Sequence, residues 1–249
     1  MAVTRSIPCV VFLFAASLLM ANAAAPWDDP FSSDISSLLK SAAQLTAPVG
    51  EEVQVLLEEH LISVRSDGRV SAKVRKVFRI LGEEAVEDWS AVEESYQPWR
   101  ERKPEIRARV IARDGSVHIL DAKTIADSPM VEFDSSLFSD ARIVRAPLPA
   151  IEPGALVEYE ITTDSGPAFT GAGVARRIQV ADNVPVERFH LVIEAAAGAS
   201  LQTVYRQIPD SAIQKTSSKK STHIVCELGP FKPRKRFEGS LPPDVSPFP

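Results

Sequence analysis

From Glu51 onward the apolar residues of this chain recur at every second position, and Asp-Gly dipeptides break the runs. Alternation places one face of a segment in a core and the other in water, as in a half-buried strand. Val53 to Arg65 leads through Ser66-Asp67-Gly68-Arg69 into Val70–Ile80. In that second run Val70, Ala72, Val74, Phe78 and Ile80 share a face interrupted by Lys76, while Ser71, Lys73, Arg75 and Arg79 take the other. Glycine accepts the positive φ of a tight turn, so Asp-Gly between two such runs predicts a hairpin. The pattern returns at Glu105–Ala112, Asp114-Gly115 and Ser116–Leu120, with Ile106, Ala108, Val110 and Ala112 opposed to Arg107, Arg109 and Arg113. Further strands are expected at Arg142–Ala146, Ala155–Thr163, Val174–Ala181, Val186–Glu194, Leu201–Arg206 and Ser221–Leu228, punctuated by prolines and by pairs such as Pro153-Gly154. Short, regularly spaced strands with half-polar faces predict a mainly all-β fold, an antiparallel β-sandwich with one short N-terminal helix. A parallel α/β fold needs crossover helices, and the only other helical hint is the short acidic stretch Leu81–Trp89.

The sandwich domain is expected over residues 51–229. Before it, residues 1–23 read as a signal peptide: Arg5 supplies positive charge, Pro8 to Met20 is apolar, and Ala21-Asn22-Ala23 offers the small-x-small pattern of a cleavage site. The apolar run falls short of the roughly 20 residues of a membrane span. The reading is therefore an exported chain, periplasmic or extracellular, cut after Ala23 or Ala25 and without a transmembrane span once cut. Cleavage removes Cys9 and leaves Cys226, so no internal disulfide is expected. Residues 24–50 form a helical lead-in. Ile35, Leu38, Leu39, Ala42 and Leu45 fall at helical spacing, Ser32, Ser33 or Asp34 can cap the start, and Pro48 and Gly50 end it. Residues 230–249 hold six prolines and read as an extended linker or tail.

Chemistry-bearing residues are sparse. Twenty-eight basic against 33 acidic residues give a net charge of −5, which argues against nucleic acid as a partner. Strand alternation sends Cys226 and His223 to opposite faces, so Cys226 reads as a buried core residue rather than a thiol nucleophile. His60, His118 and His190 stand singly on separate strands, with His190 expected on the solvent side, and they lack ligand spacing for zinc. Asp127, Glu132, Asp134 and Asp140 make an acidic loop without the turn glycine of a calcium loop. Lys215, Lys219, Lys220, Lys232, Arg234, Lys235 and Arg236 read as a solvated hairpin tip and linker, the alternative being contact with an anionic envelope surface. The candidate ligand contacts are Tyr96, Trp99 and Arg100, flat aromatics beside an arginine that can stack on a sugar or a peptide; a lid on the sandwich core is the competing reading. No Gly-rich phosphate loop, HExxH or nucleophile elbow occurs, so no catalytic residue, cofactor or metal is assigned.

Five stretches, taken in order, resemble a known family. They are Val53-Gln54-Val55-Leu56-Leu57 leading to Asp67-Gly68; Phe78-Arg79-Ile80-Leu81; and Ile106-Arg107-Ala108-Arg109-Val110 with Asp114-Gly115. Ile151-Glu152-Pro153-Gly154-Ala155-Leu156-Val157-Glu158-Tyr159 and Val184-Pro185-Val186-Glu187-Arg188 complete them. Over residues 51–249 the chain resembles the secreted bacterial domain of unknown function that precedes transglutaminase-like domains. The resemblance implies a β-sandwich in an accessory place beside a papain-like Cys-His-Asp domain, and it brings no catalytic residues. The resemblance leads one to expect a transglutaminase-like domain beyond Pro249, the last residue given, so the chain reads either as part of a longer protein or as a member that works alone. Three readings stay open: a non-catalytic interaction or accessory module whose partner is a transglutaminase-like domain or an envelope protein or glycan; the N-terminal part of a transglutaminase-like cysteine protease or amidase; and a glycan-binding sandwich.

Overall fold

In the computed structural model, which describes residues 25–130, 139–166, 175–180 and 183–233, the alternating runs pair into two sheets. The strands are β1 (Val53–Val64), β2 (Val70–Ile80), β3 (Ala91–Tyr96), β4 (Glu105–Ile111), β5 (Val117–Ile119) and β6 (Ala126–Pro129). They continue with β7 (Arg142–Pro147), β8 (Leu156–Asp164), β9 (Phe189–Ala196), β10 (Ile213–Ser217) and β11 (Ser221–Leu228). The large sheet runs β10-β11-β9-β1-β2-β8-β4-β5 and the small one β3-β7-β6. Neighbours are antiparallel except β1 and β9, which run parallel from Glu58 beside Phe189 to Val64 beside Ala195. Both Asp-Gly turns form, with Gly68 at φ 81° and Gly115 at φ 86°.

One face of the large sheet carries two apolar clusters, separated on β1 and β2 by the contacting Lys76, Glu58 and His60. Val53, Val55, Phe78, Ile80, Val110 and Val157 meet Val92 of β3 and Ala146 of β7, which makes the sandwich core. Further along the same face Ile62, Ala72, Phe189, Leu191, Ile193, Ile224 and Cys226 form a second cluster. Irregular chain covers that cluster: Ile178, Val180, Leu201, Tyr205 and Ile208 pack on it. Val174–Ala181 and Leu201–Arg206 are thus not strands where described. Their alternation reflects one buried side, which a loop can present without pairing its backbone.

A bulge in β1 governs the opposite face. The register slips between Val55 and Leu57, so Leu56 and Leu57 both join a cluster with Val77, Ile111 and Leu156 on the far side of the sheet. The helix α1 (Ile35–Gln44) lies on that patch through Leu38 and Ala42. Asp34 caps its start by accepting from Ser37 N at 2.9 Å. A sheet residue closes its end: Arg79 Nη1 donates to Ala42 O at 2.7 Å, which also accepts from Leu45 N at 3.3 Å, and Nη2 donates to Leu45 O at 2.8 Å, just past the last turn. The acidic stretch at 81–89 forms a short helix, α2 (Glu84–Asp88).

Three strands carry no clear sequence signal: β3, β6 and β10. Each sits at a sheet edge. At the other end of the chain Phe231 exchanges main-chain hydrogen bonds with Val186 at 2.7 and 3.1 Å, so the sandwich holds the chain beyond Pro230. The expected signal peptide and the tail from residue 234 lie outside the described residues. Among the described residues no helix is long and apolar enough to cross a membrane.

Candidate functional site

The three candidate contact residues separate. Trp99 is 54% exposed, and the Arg100 guanidinium lies 5.7 Å from its ring centroid, beside Glu101 at 3.4 Å. This corner is held in place because Arg102 N donates to Asp164 O at 3.0 Å and Gly166 N to Arg100 O at 2.5 Å. Tyr96 instead turns inward, 8% exposed, and its hydroxyl donates to Asp127 Oδ2 at 3.0 Å. The surface platform is therefore Trp99 with Arg100, and Tyr96 is a buried partner of Asp127.

Asp127 belongs to β6, not to an open acidic loop. Burial raises its carboxyl, but Arg142 Nε at 2.7 Å, the Tyr96 hydroxyl and Lys103 outweigh that and hold it below the ordinary aspartate value. Asp140 is exposed, and Glu132 and Asp134 lie outside the described residues. Cys226 is fully buried in the second apolar cluster, where burial, with a contribution from Glu227, pushes its thiol up. His223 stands on the opposite face, 3.6 Å from Glu194. Of the other histidines, His60 contacts Glu58 at 2.9 Å and packs on Phe189, and His118 contacts Ser116 Oγ at 3.1 Å. His190 is half-buried against Glu59 at 3.0 Å rather than free in solvent. Lys215 lies on β10 and Lys219 and Lys220 at its turn, all exposed, with Lys232 further on; Arg234, Lys235 and Arg236 lie outside the described residues.

The largest polar assembly is one that alternation alone conceals. On the helix-bearing face of the large sheet, charges of opposite sign sit on neighbouring strands in register: Arg109 opposite Glu158, Arg107 opposite Glu160, and Glu160 opposite Arg75. Arg75 is 1% exposed and Glu158 is 3% exposed. Glu158 Oε1 accepts from Arg75 Nε at 2.8 Å and from Phe31 N at 3.0 Å, and Arg75 Nη2 stands 2.6 Å away. Glu158 Oε2 accepts from Arg109 Nε at 2.8 Å, with Nη2 in ion contact at 2.7 Å but not aligned for a hydrogen bond. Arg75 Nη2 also donates to Trp27 O, and its Nη1 stands 3.7 Å from Glu59. The lead-in seals the assembly: the Phe31 ring lies 4.1 Å from the Arg107 guanidinium and 5.7 Å from that of Arg109. Burial raises Glu59, but His190, Arg75 and Arg188 together hold it below the ordinary glutamate value. These groups hold each other and the lead-in; both oxygens of Glu158 are taken by donors, which suits a clamp rather than proton transfer. The sequence did carry a signal for them. Lys73-x-Arg75, Arg107-x-Arg109 and Glu158-x-Glu160 are like-charge pairs at strand spacing, which can ladder once the strands adjoin.

Fold and site together define a two-sheet β-sandwich domain whose large sheet is covered on both faces and clamped by buried ion pairs. The family model of a domain of unknown function with solved structures, DUF3857, matches residues 66–235, and the chain belongs to that family. No curated protein matches its sequence. Among solved structures, one from Parabacteroides distasonis carrying the name "putative protease" superposes with a TM-score of 0.64 at 13% identity. The match covers 75% of this chain and 37% of that one, so this chain spans little more than a third of its neighbour's length. An M1 zinc metallopeptidase from Deinococcus radiodurans gives 0.35 at 11% identity over 71% of this chain and 39% of the other. A CBM3a-L domain from a Clostridium thermocellum cellulosome scaffoldin gives 0.25 at 13% identity over 53% and 82%. The last two resemble this fold too distantly to bear on its function.

Proposed function

We propose that this chain is an exported, non-catalytic β-sandwich module that recruits or positions a transglutaminase-like domain. One observation carries the reading: the same fold recurs at a TM-score of 0.64 as a minor part of a longer chain that bears the name "putative protease", the place expected of an accessory domain. The structural employment of Glu158, Asp127 and the buried Cys226 supports a scaffold role for the sheets, which leaves recognition to the connecting loops and edges. Export rests on Arg5, the apolar run from Pro8 to Met20 and Ala21-Asn22-Ala23. The test combines two measurements on the mature chain. Calorimetry against a transglutaminase-like domain from the same genome should detect binding, and assays of amide hydrolysis and acyl transfer by the chain alone should detect none. Turnover by the purified chain overturns the non-catalytic reading, and a Cys-His-Asp domain encoded in frame beyond Pro249 transfers it to the cysteine protease or amidase alternative.

The Trp99–Arg100 corner favours a second reading, a glycan-binding sandwich, because an exposed indole is a stacking platform for a sugar ring. It predicts that Trp99→Ala abolishes retention on polysaccharide columns with folding unchanged; equal retention of both proteins rejects it.

A further inference from the structure

Beside β3 the sandwich opens into a recess of about 240 Å³ between α2, β3 and the large sheet. Phe78 forms its floor, with Trp89 packed at 4.8 Å between ring centroids and Tyr159 edge-on at 6.2 Å. Asp88 and Glu93 stand at the rim. Glu93 is neutralised by Arg145 at 2.6 Å, and Lys76, which also lines the recess, pairs with Glu58 at 3.1 Å. Asp88, with Glu84 and Glu87 on the same short helix, is exposed and makes no ion pair among the described residues. Aromatic faces attract cations through their quadrupoles, and a carboxylate beside them adds a directed charge. The recess therefore has the chemistry of an ammonium or guanidinium pocket.

A second observation comes from the main chain. β3 ends the small sheet, and among the described residues nothing pairs with its outer side. Leu148 N donates to Ser90 O at 2.7 Å, which sets the phase of the ladder. Val92 and Glu94 then turn their main-chain groups toward β7, while Ala91, Glu93 and Ser95 turn theirs outward. Pro147, which has no N–H to give, stands opposite Ala91, as that phase requires. Ala91 and Glu93 also line the recess, so an open strand edge and a cation pocket adjoin. Strand addition draws affinity from main-chain hydrogen bonds and specificity from side-chain pockets.

We propose that the β3 edge and this recess bind an extended basic segment of a partner protein. The segment adds a strand along Ala91, Glu93 and Ser95 and sets a lysine or arginine against Trp89 and Tyr159, facing Asp88. This assignment rests on the module reading and gives its partner a chemistry.

The experiment titrates the isotope-labelled mature chain with a blocked Thr-Val-Arg-Val-Thr peptide and with its Arg→Glu counterpart. The readouts are the three tryptophan indole N–H signals and the backbone amides of β3. Trp27 belongs to the lead-in, buried against the large sheet, and Trp99 lies on the loop after β3, so the indoles report separate places. The arginine peptide should shift Trp89 and the amides of Ala91, Glu93 and Ser95, and the glutamate peptide should bind at least about tenfold more weakly. Asp88→Lys should weaken the arginine peptide by about tenfold while leaving the urea midpoint unchanged, since Asp88 is exposed. Equal affinity for both peptides, no shift at Trp89 up to millimolar peptide, or shifts confined to Trp99 overturn the proposal. The same variant set against the transglutaminase-like domain separates the two readings. Undiminished binding by Asp88→Lys removes this site and keeps the module, whereas peptide binding at Trp89 without any binding of that domain keeps the site and removes the module.

Discussion

Replacing Glu158 by glutamine should be the most damaging near-isosteric change in the molecule. The substitution keeps the shape and removes one negative charge from between two guanidinium groups that are 1% and 8% exposed. At the contact distances of 2.6–2.8 Å the charge centres lie roughly 4 Å apart, and each pair is worth about 4 kcal/mol at an effective dielectric of 20. In the native protein that attraction is largely offset by the desolvation of the ions, so the intact assembly adds little net stability. Without Glu158 the desolvation of Arg75 and Arg109 remains and the attraction is gone, and such losses run at about 3–5 kcal/mol. With an m-value of roughly 2–3 kcal/mol/M, the urea midpoint followed by circular dichroism should fall by about 1.5 M. The Phe31 amide, which donates to Glu158 at 3.0 Å, should lose hydrogen-exchange protection as the lead-in loosens. Glu160→Gln is the matched control, because its partners Lys73 and Arg107 are 42% and 53% exposed and keep their hydration; it should lose less than about 1 kcal/mol. The triple change Arg75→Met, Arg109→Met, Glu158→Leu should recover most of the loss. Equal, small effects of Glu158→Gln and Glu160→Gln would refute the reasoning, for they would mean that Arg75 and Arg109 are hydrated as freely as Lys73 and Arg107.

Acid should loosen the same clamp through Glu59. Its folded-state value is depressed, so its stabilisation is present above the ordinary glutamate value and is lost as pH falls from there through the lower folded value; Glu59→Gln should flatten the pH dependence of the urea midpoint in that window. Glu94 carries the opposite sign. Burial raises it, and Glu101 adds to this against the opposing charge of Arg176, so the folded state favours the protonated form. Glu94→Gln should therefore stabilise at neutral pH, with the gain over wild type fading as pH falls and Glu94 itself protonates. Cys226→Ser should lose about 1–3 kcal/mol by setting a hydroxyl among Leu191, Ile193 and Ile224. Wild-type Cys226 should react with a thiol reagent only at the rate of global opening, measured as absorbance against urea concentration.

What the sequence revealed and what it hid follow from how many sides of a strand are buried. β1, β2, β4 and β8 adjoin one another inside the large sheet, and their alternation reads cleanly because one row of side chains is mostly apolar, broken chiefly by Glu58, His60 and Lys76, which contact one another. β3, β6 and β10 run along sheet edges, where solvent reaches much of the strand; Ala91–Tyr96 shows only Val92 and Tyr96 as buried anchors. β5 is also an edge but was legible, since Asp114-Gly115 ties it to β4. The charge ladder was hidden for a different reason. Arg75, Arg109 and Glu158 alternate with core residues as solvent-facing side chains do, and alternation cannot tell water from a lead-in laid across the same face. Only the placement of Trp27 and Phe31, far from these strands in sequence, makes that face an interior.

That double covering also narrows where function can reside. Over β1, β2, β8 and β4 one face is occupied by the small sheet and the other by α1 and the 25–33 segment. Rims are left for contact with a partner, among them the Trp99–Arg100 corner, the lysine-bearing edge at β10, the edges at β5 and β6, and the acidic corner of α2 and β3. A lysine on an edge strand opposes pairing with another chain, and Lys215 sits on β10, the outermost strand at that end. Along β3 the outward residues are Ala91, Glu93 and Ser95, and the adjoining recess is aromatic. A strand added at β10 must lie against Lys215, whereas one added at β3 finds aromatic surface beside Asp88, which makes no ion pair among the described residues. The two edges thus differ in sign and in guard, and a basic extended segment is repelled at the first and received at the second.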